Sequence, residues 1–155
     1  MVPFTKAIKN FYVKYFDFNG RATRAEYWWV RLYLFISLVV LISLFPSIIL
    51  TCAFILINIV PSISLQVRRF HDVGKPGSTL FLIIAGSAFC AIFTSAGFPV
   101  ATLGSLGNLL ISIYQFILNC THGQKRDNEY GYNPYGNTHH HPTNTNYESV
   151  ENVEL

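Results

Sequence analysis

Two short segments hold the side chains in this sequence best equipped for chemistry. The first carries Arg21, Arg24 and Glu26; the second carries Arg68, Arg69, His71 and Asp72. An imidazole beside a carboxylate is a pair suited to moving protons. Arginines hold carboxylates or phosphates through paired N–H donors, which fixes geometry as well as charge. Three readings follow. The seven side chains clamp the ends of neighbouring elements; or they bind an anionic lipid headgroup, a phosphorylated ligand or a partner protein; or His71 and Asp72 perform acid–base catalysis. The catalytic reading has no nucleophile motif or metal-ligand spacing beside it, so an enzyme is not expected. No cofactor and no metal site is expected either. The run His139-His140-His141 would hold a metal ion only weakly in so polar a tail. Cys52, Cys90 and Cys120 show no C-x-x-C spacing and read as small packing residues.

The elements that must position these residues are membrane helices. The chain has 155 residues, 51% hydrophobic and 12% charged, against about 25% charged in an ordinary soluble domain. No Asp, Glu, Lys or Arg occurs from Leu32 to Val67 or from Pro76 to Gln124. A bilayer core needs about 20 apolar residues per helix, so each stretch is too long for one crossing and fits two. The expected fold is an all-α membrane protein with four transmembrane helices as two hairpins. The spans fall near residues 27–45, 47–66, 79–97 and 100–119, within a transmembrane domain over 23–120. Pro46 and Pro99 mark the turns, Pro61 is expected to kink the second span, and residues 67–78 form a polar loop.

Residues 1–22 form an interfacial amphipathic segment. Phe4, Ala7, Ile8, Phe11, Tyr15 and Phe18 share one helical face, with Lys6 and Lys9 opposite. Asn19-Gly20 breaks that helix. Thr23 and Glu26 then form a capping box that starts the first span, followed by Tyr27, Trp28 and Trp29 as an interfacial belt. No cleavable signal peptide is visible, so the first span is expected to insert as an uncleaved anchor. Residues 121–155 form a polar tail, largely disordered after about 136. All eleven Lys and Arg lie in residues 1–31, 67–75 and 125–126. The positive-inside rule therefore places both termini and the central loop in the cytoplasm. No basic patch stands away from the bilayer, so a nucleic-acid partner is not expected.

Polar stripes cross the spans. Ser105, Asn108, Ser112 and Gln115 share a face of the fourth, and Asn58 lies on a similar face of the second. Such stripes let helices approach and hydrogen-bond, within one chain or in a homo-oligomer; the alternative is a polar path for a solute. No Asp, Glu, Lys, Arg or His lies in the interior of a span, which disfavours a proton-coupled transporter.

The motifs Gly20-Arg21-Ala22-Thr23-Arg24-Ala25-Glu26-Tyr27-Trp28, Arg68-Arg69-Phe70-His71-Asp72-Val73-Gly74-Lys75 and Gly123 to Pro134 come in that order. In this the chain resembles the bacterial inner-membrane proteins grouped as domain of unknown function 805, from about Phe11 to Pro134. Thr23 stands for the family's Ser and keeps the capping hydroxyl. Pro76, Ser78 and Arg126 depart from its usual Ser, Trp and Gly. The resemblance implies a small multi-pass protein of the bacterial inner membrane and implies no activity. The expected function is non-enzymatic: binding a partner protein or anionic lipid through the cytoplasmic cluster of Arg21, Arg24, Glu26, Arg68, Arg69, His71 and Asp72. The alternative is a small oligomeric channel or transporter that uses the stripes of spans two and four.

Overall fold

A computed structural model describes residues 2–95 and 100–135. Its helices are α1 Phe4–Val13, α2 Arg24–Leu44, α3 Ile48–Asp72, α4 Ser78–Thr94 and α5 Val100–Cys120. The described residues contain no strand, only an isolated bridge between Asn128 and Gly131. Helices α2, α3 and α5 are long and apolar enough to cross a membrane; α4, with 17 residues, is a shorter apolar helix. Their outer surfaces carry many large apolar side chains, with Phe35, Ile49, Leu56, Phe81, Leu103 and Leu110 all exposed. Water does not tolerate so large an apolar patch, and the chain is a membrane protein. The expected turn at Pro99, the His139–His141 run and the disorder after 136 lie outside the described residues.

Helix α2 begins at its cap. Thr23 is extended, and its hydroxyl oxygen accepts from the Glu26 backbone N–H at 3.2 Å. The Glu26 carboxylate does not return to Thr23; it turns to Arg68, 3.6 Å away. Helix α3 runs further than hydropathy suggests. Val67–Asp72, expected as loop, forms its last turns, and every residue there is buried. The helix ends at Gly74, whose φ of +75° suits glycine. Lys75 N–H then reaches Phe70 O at 2.9 Å and Gly74 N–H reaches His71 O at 3.0 Å, a Schellman closure. Pro61 is fully buried inside the helix.

Helix α1 is shorter than its apolar periodicity. Its buried residues Ala7 and Phe11 pack on Ala22, Tyr27, Val30 and Leu65, so part of the expected lipid-facing side is docked on α2 and α3. Tyr12 donates to Asn58 Oδ1 at 3.1 Å, and Ser64 donates to Lys14 O at 3.0 Å. Helices α4 and α5 pack antiparallel through small residues. A Cβ at Gly104 would lie 2.5 Å from Cys90 O, and one at Gly107 would lie 2.6 Å from Cys90 Sγ, so these glycines set the closeness of the pair. Val67, Phe70, Leu80, Ile83 and Leu118 form a second core where α3 meets them.

Candidate functional site

The charged ends of the helices converge on one carboxylate. Asp72 is fully buried. Its Oδ1 accepts from Arg21 Nε at 3.0 Å and lies 2.9 Å from Arg21 Nη2. Its Oδ2 accepts from Arg69 Nη1 at 2.7 Å and from the Tyr135 hydroxyl at 2.6 Å. Each partner comes from a different part of the chain: the loop before α2, the preceding turn of α3, and the tail. Gly20, at φ +81°, turns that loop, and Ala22 N–H donates to Arg68 O at 3.0 Å, laying the loop along the end of α3.

The two arginines spend their remaining donors on the backbone. Arg21 bonds Arg126 O at 2.8 Å and also Gln124 O. Arg69 reaches Asn119 O at 3.3 Å and Thr121 O, the free carbonyls at the end of α5. The tail closes over the same point. Gln124 N–H donates to Asp72 O at 2.9 Å, and Asn128 Nδ2 donates to His71 O at 3.0 Å. Gly123 lies so close that any Cβ there would overlap the Asp72 carboxylate. Burial, followed by the hydrogen bond to Asp72, pushes the Tyr135 phenol up to about 12, because a phenolate would sit beside that carboxylate.

His71 and Asp72 do not act on each other. The imidazole Nδ1 meets Gly20 O at 3.1 Å, and the ring stacks on Tyr130 with centroids 4.0 Å apart. Glu26 and Arg68 form a second, separate ion pair; none of the three Arg68 guanidinium nitrogens has a hydrogen-bond partner. Arg24 stands apart from both. It bonds Cys120 O at 3.1 Å and His122 Nε2 at 2.8 Å. Among the described residues, neither Arg24 nor Lys6 has a carboxylate within ion-pair distance. Both line a cleft of about 710 Å³, with Trp28, Pro134 and Tyr135.

The intramembrane residues separate. Asn58 is buried and donates to Phe54 O at 2.8 Å. Ser105 and Ser112 are exposed and bond back to Ala101 O and Asn108 O on their own helix. Asn108 and Gln115 are half-buried on α5.

Sequence reasoning missed a ring beneath the cluster. The Tyr27 hydroxyl donates to Gln66 Oε1 at 3.0 Å, Gln66 Nε2 to Asn119 Oδ1 at 2.8 Å, and Asn119 Nδ2 back to Tyr27 at 3.0 Å. It joins α2, α3 and α5. Its only sequence signal is an amide at the inner end of each apolar stretch, which reads equally well as the edge of a span. Tyr135 carried no signal.

A family model described as "Protein of unknown function (DUF805)" matches residues 15–132, which include the Asp72 cluster except Tyr135. Over 74 residues the chain is 38% identical to the uncharacterized protein YiiR of Escherichia coli strain K12, and equally to that of Escherichia coli O157:H7. The match covers 44% of this chain and 50% of each relative, so the chain spans about half the length of the curated relatives it matches. No solved structure matches.

Proposed function

The chain belongs to the family described as protein of unknown function (DUF805), and we propose that it is a four-span protein of the bacterial inner membrane, with both termini cytoplasmic, that binds anionic lipid headgroups on its cytoplasmic face. The observation that carries this reading is the cleft over Lys6 and Arg24. Arg21, Arg68 and Arg69 are buried and paired with carboxylates, which makes them the clamp. Among the described residues Lys6 and Arg24 have no carboxylate within ion-pair distance, and they sit beside Trp28, a residue type that favours the headgroup level. Cations without an ion-pair partner at that depth attract an anionic leaflet. The four-span count is supported by α4: its 17 residues rise about 26 Å, at the short end of the range for a crossing. The orientation is supported by the confinement of every Lys and Arg to residues 1–31, 67–75 and 125–126.

The test is native mass spectrometry of the full chain released from its own membranes. Wild type is expected to retain an anionic phospholipid that the Lys6→Gln/Arg24→Gln double variant loses. If the folded double variant carries the same lipids in the same amounts, the reading is wrong.

A second reading, a homo-oligomer built on α5, rests on Asn108 and Gln115. Among the described residues neither side-chain amide has a hydrogen-bond partner, and an unsatisfied amide in hydrocarbon is costly. A second copy presenting the same stripe would satisfy both. Asn108→Leu/Gln115→Leu is then expected to shift the protein to monomer in detergent; an unchanged mass excludes this interface.

A further inference from the structure

Arg31 lies about 10 Å further along α2 than Arg24, beyond Trp28 and Trp29. Its Nη2 donates to Gln66 Oε1 at 3.2 Å, and its guanidinium lies over the Tyr27 ring, 5.0 Å from the centroid. Its Nε–H is buried and has no acceptor. Among the described residues no carboxylate lies within ion-pair distance. A charge in that position is costly and tends to mark a functional site. Arg31 is also the one charged side chain lining a groove of about 450 Å³ between α2 and α3. The groove continues away from it past Leu34, Leu38, Ile55 and Ile59. Of the two polar side chains that also line it, Asn58 and Ser62, Asn58 is already bonded to Phe54 O and Tyr12.

We propose that this groove is a binding site for one anionic phospholipid, its phosphate on Arg31 and one acyl chain along the apolar walls. The layout matches that ligand in order: a cation with a free donor at the charged end, then a mainly apolar wall in which Ser62 and the already bonded Asn58 are the polar side chains. A guanidinium suits phosphate, and the volume is that of an ordinary ligand pocket. A neutral tail alone would leave the charge unpaired and the Nε–H unmet. The site is separate from the Lys6–Arg24 cleft and does not rest on it.

The experiment is native mass spectrometry of the purified full chain in mild detergent, titrated with phosphatidylglycerol and, in parallel, with diacylglycerol of the same acyl chains. Wild type is expected to retain the phosphate-bearing lipid about tenfold better or more, the scale of a charge-assisted hydrogen bond. Arg31→Gln is expected to reduce that retention to the diacylglycerol level. Leu38→Trp, which fills the groove without touching the charge, is expected to displace the chain and weaken both lipids. Lys6→Gln/Arg24→Gln is expected to leave this site filled, so failure of one cleft is distinguishable from failure of the other. Unchanged phosphatidylglycerol retention in Arg31→Gln or in Leu38→Trp overturns the proposal, as does equal retention of the two lipids by wild type.

Discussion

Replacing Asp72 by alanine is expected to free the tail and separate the charged ends of the helices. The carboxylate accepts three hydrogen bonds, two from guanidinium groups and one from Tyr135. Hydrogen bonds to charged groups contribute about 1.5–3 kcal/mol each, but burial of three charges offsets much of that gain. The decisive quantity is what remains after substitution. Arg21 and Arg69 would stay buried with only carbonyl partners, and removing one member of a buried ion pair costs about 3–5 kcal/mol. That shifts the clamp equilibrium by about a hundredfold or more. Trypsin reads the change directly. Lys125 and Arg126 are exposed as side chains, yet the neighbouring carbonyls of Gln124 and Arg126 are held by Arg21. In nanodiscs, Asp72→Ala is expected to be cut there at least tenfold faster than wild type, with Asp72→Asn between the two because its amide still accepts one bond. Equal cutting rates for wild type and Asp72→Ala, with both proteins folded, would show that the carboxylate does not hold the tail.

Three further outcomes follow from the same contacts. Gly123→Ala places a methyl group on the Asp72 carboxylate; it is expected to cost about 1–3 kcal/mol, as overpacking does, and to raise tryptic cutting without removing any charge. The Tyr135 phenol titrates at 10.0 when free and is pushed up to about 12 when docked. Its folded value is raised, so its contribution is present below pH 10 and lost as pH rises from 10 to 12; cutting of wild type should accelerate across that window, while Tyr135→Phe should show no such step. Asn119→Leu breaks the ring with Tyr27 and Gln66 and is expected to lower thermal stability by about 1–3 kcal/mol. Adding Gln66→Leu should cost less than the sum of the two single changes, since the partners are shared; full additivity would mean the ring does not form.

The helices were legible because hydropathy reports burial in lipid directly, and the cap at Thr23 was legible because its motif is local. The end of α3 was not. Arg68, Arg69, His71 and Asp72 read as a loop because charge ended the apolar run, yet a helix continues wherever its charges find partners. Those partners come from residues about 50 positions away in both directions, and no local pattern reports them. The seven candidate residues were identified as a group, but their division was not visible. Sequence pairs His71 with Asp72, whereas the helix turns the imidazole toward Gly20 and Tyr130. Tyr27 was read as belt and Gln66 and Asn119 as span edges, because a ring of three side chains exists only after three helices have met.

That division explains what the charged end does for the fold. Lipid tails are as apolar as leucine, so little drives the outer faces of α2–α3 against those of α4–α5. Among the described residues, the hydrogen bonds and aromatic contacts between these two pairs all lie at the charged end: Tyr27 and Gln66 with Asn119, Arg69 with the carbonyls ending α5, Arg24 with Cys120, and Trp28 with Phe116. The relative placement of the pairs is therefore set near one end, by this polar geometry together with the core of Val67, Phe70, Leu80, Ile83 and Leu118. A clamp of this kind needs its cations balanced, and Arg21, Arg68 and Arg69 have carboxylates. Among the described residues Arg24 and Arg31 have no carboxylate within ion-pair distance, although both lie on the same helix as Glu26. Balancing them within the chain would have required only another acidic residue on α3 or α5. On the reading proposed above, the counter-charge for Arg24 and Arg31 comes from anionic headgroups of the surrounding leaflet.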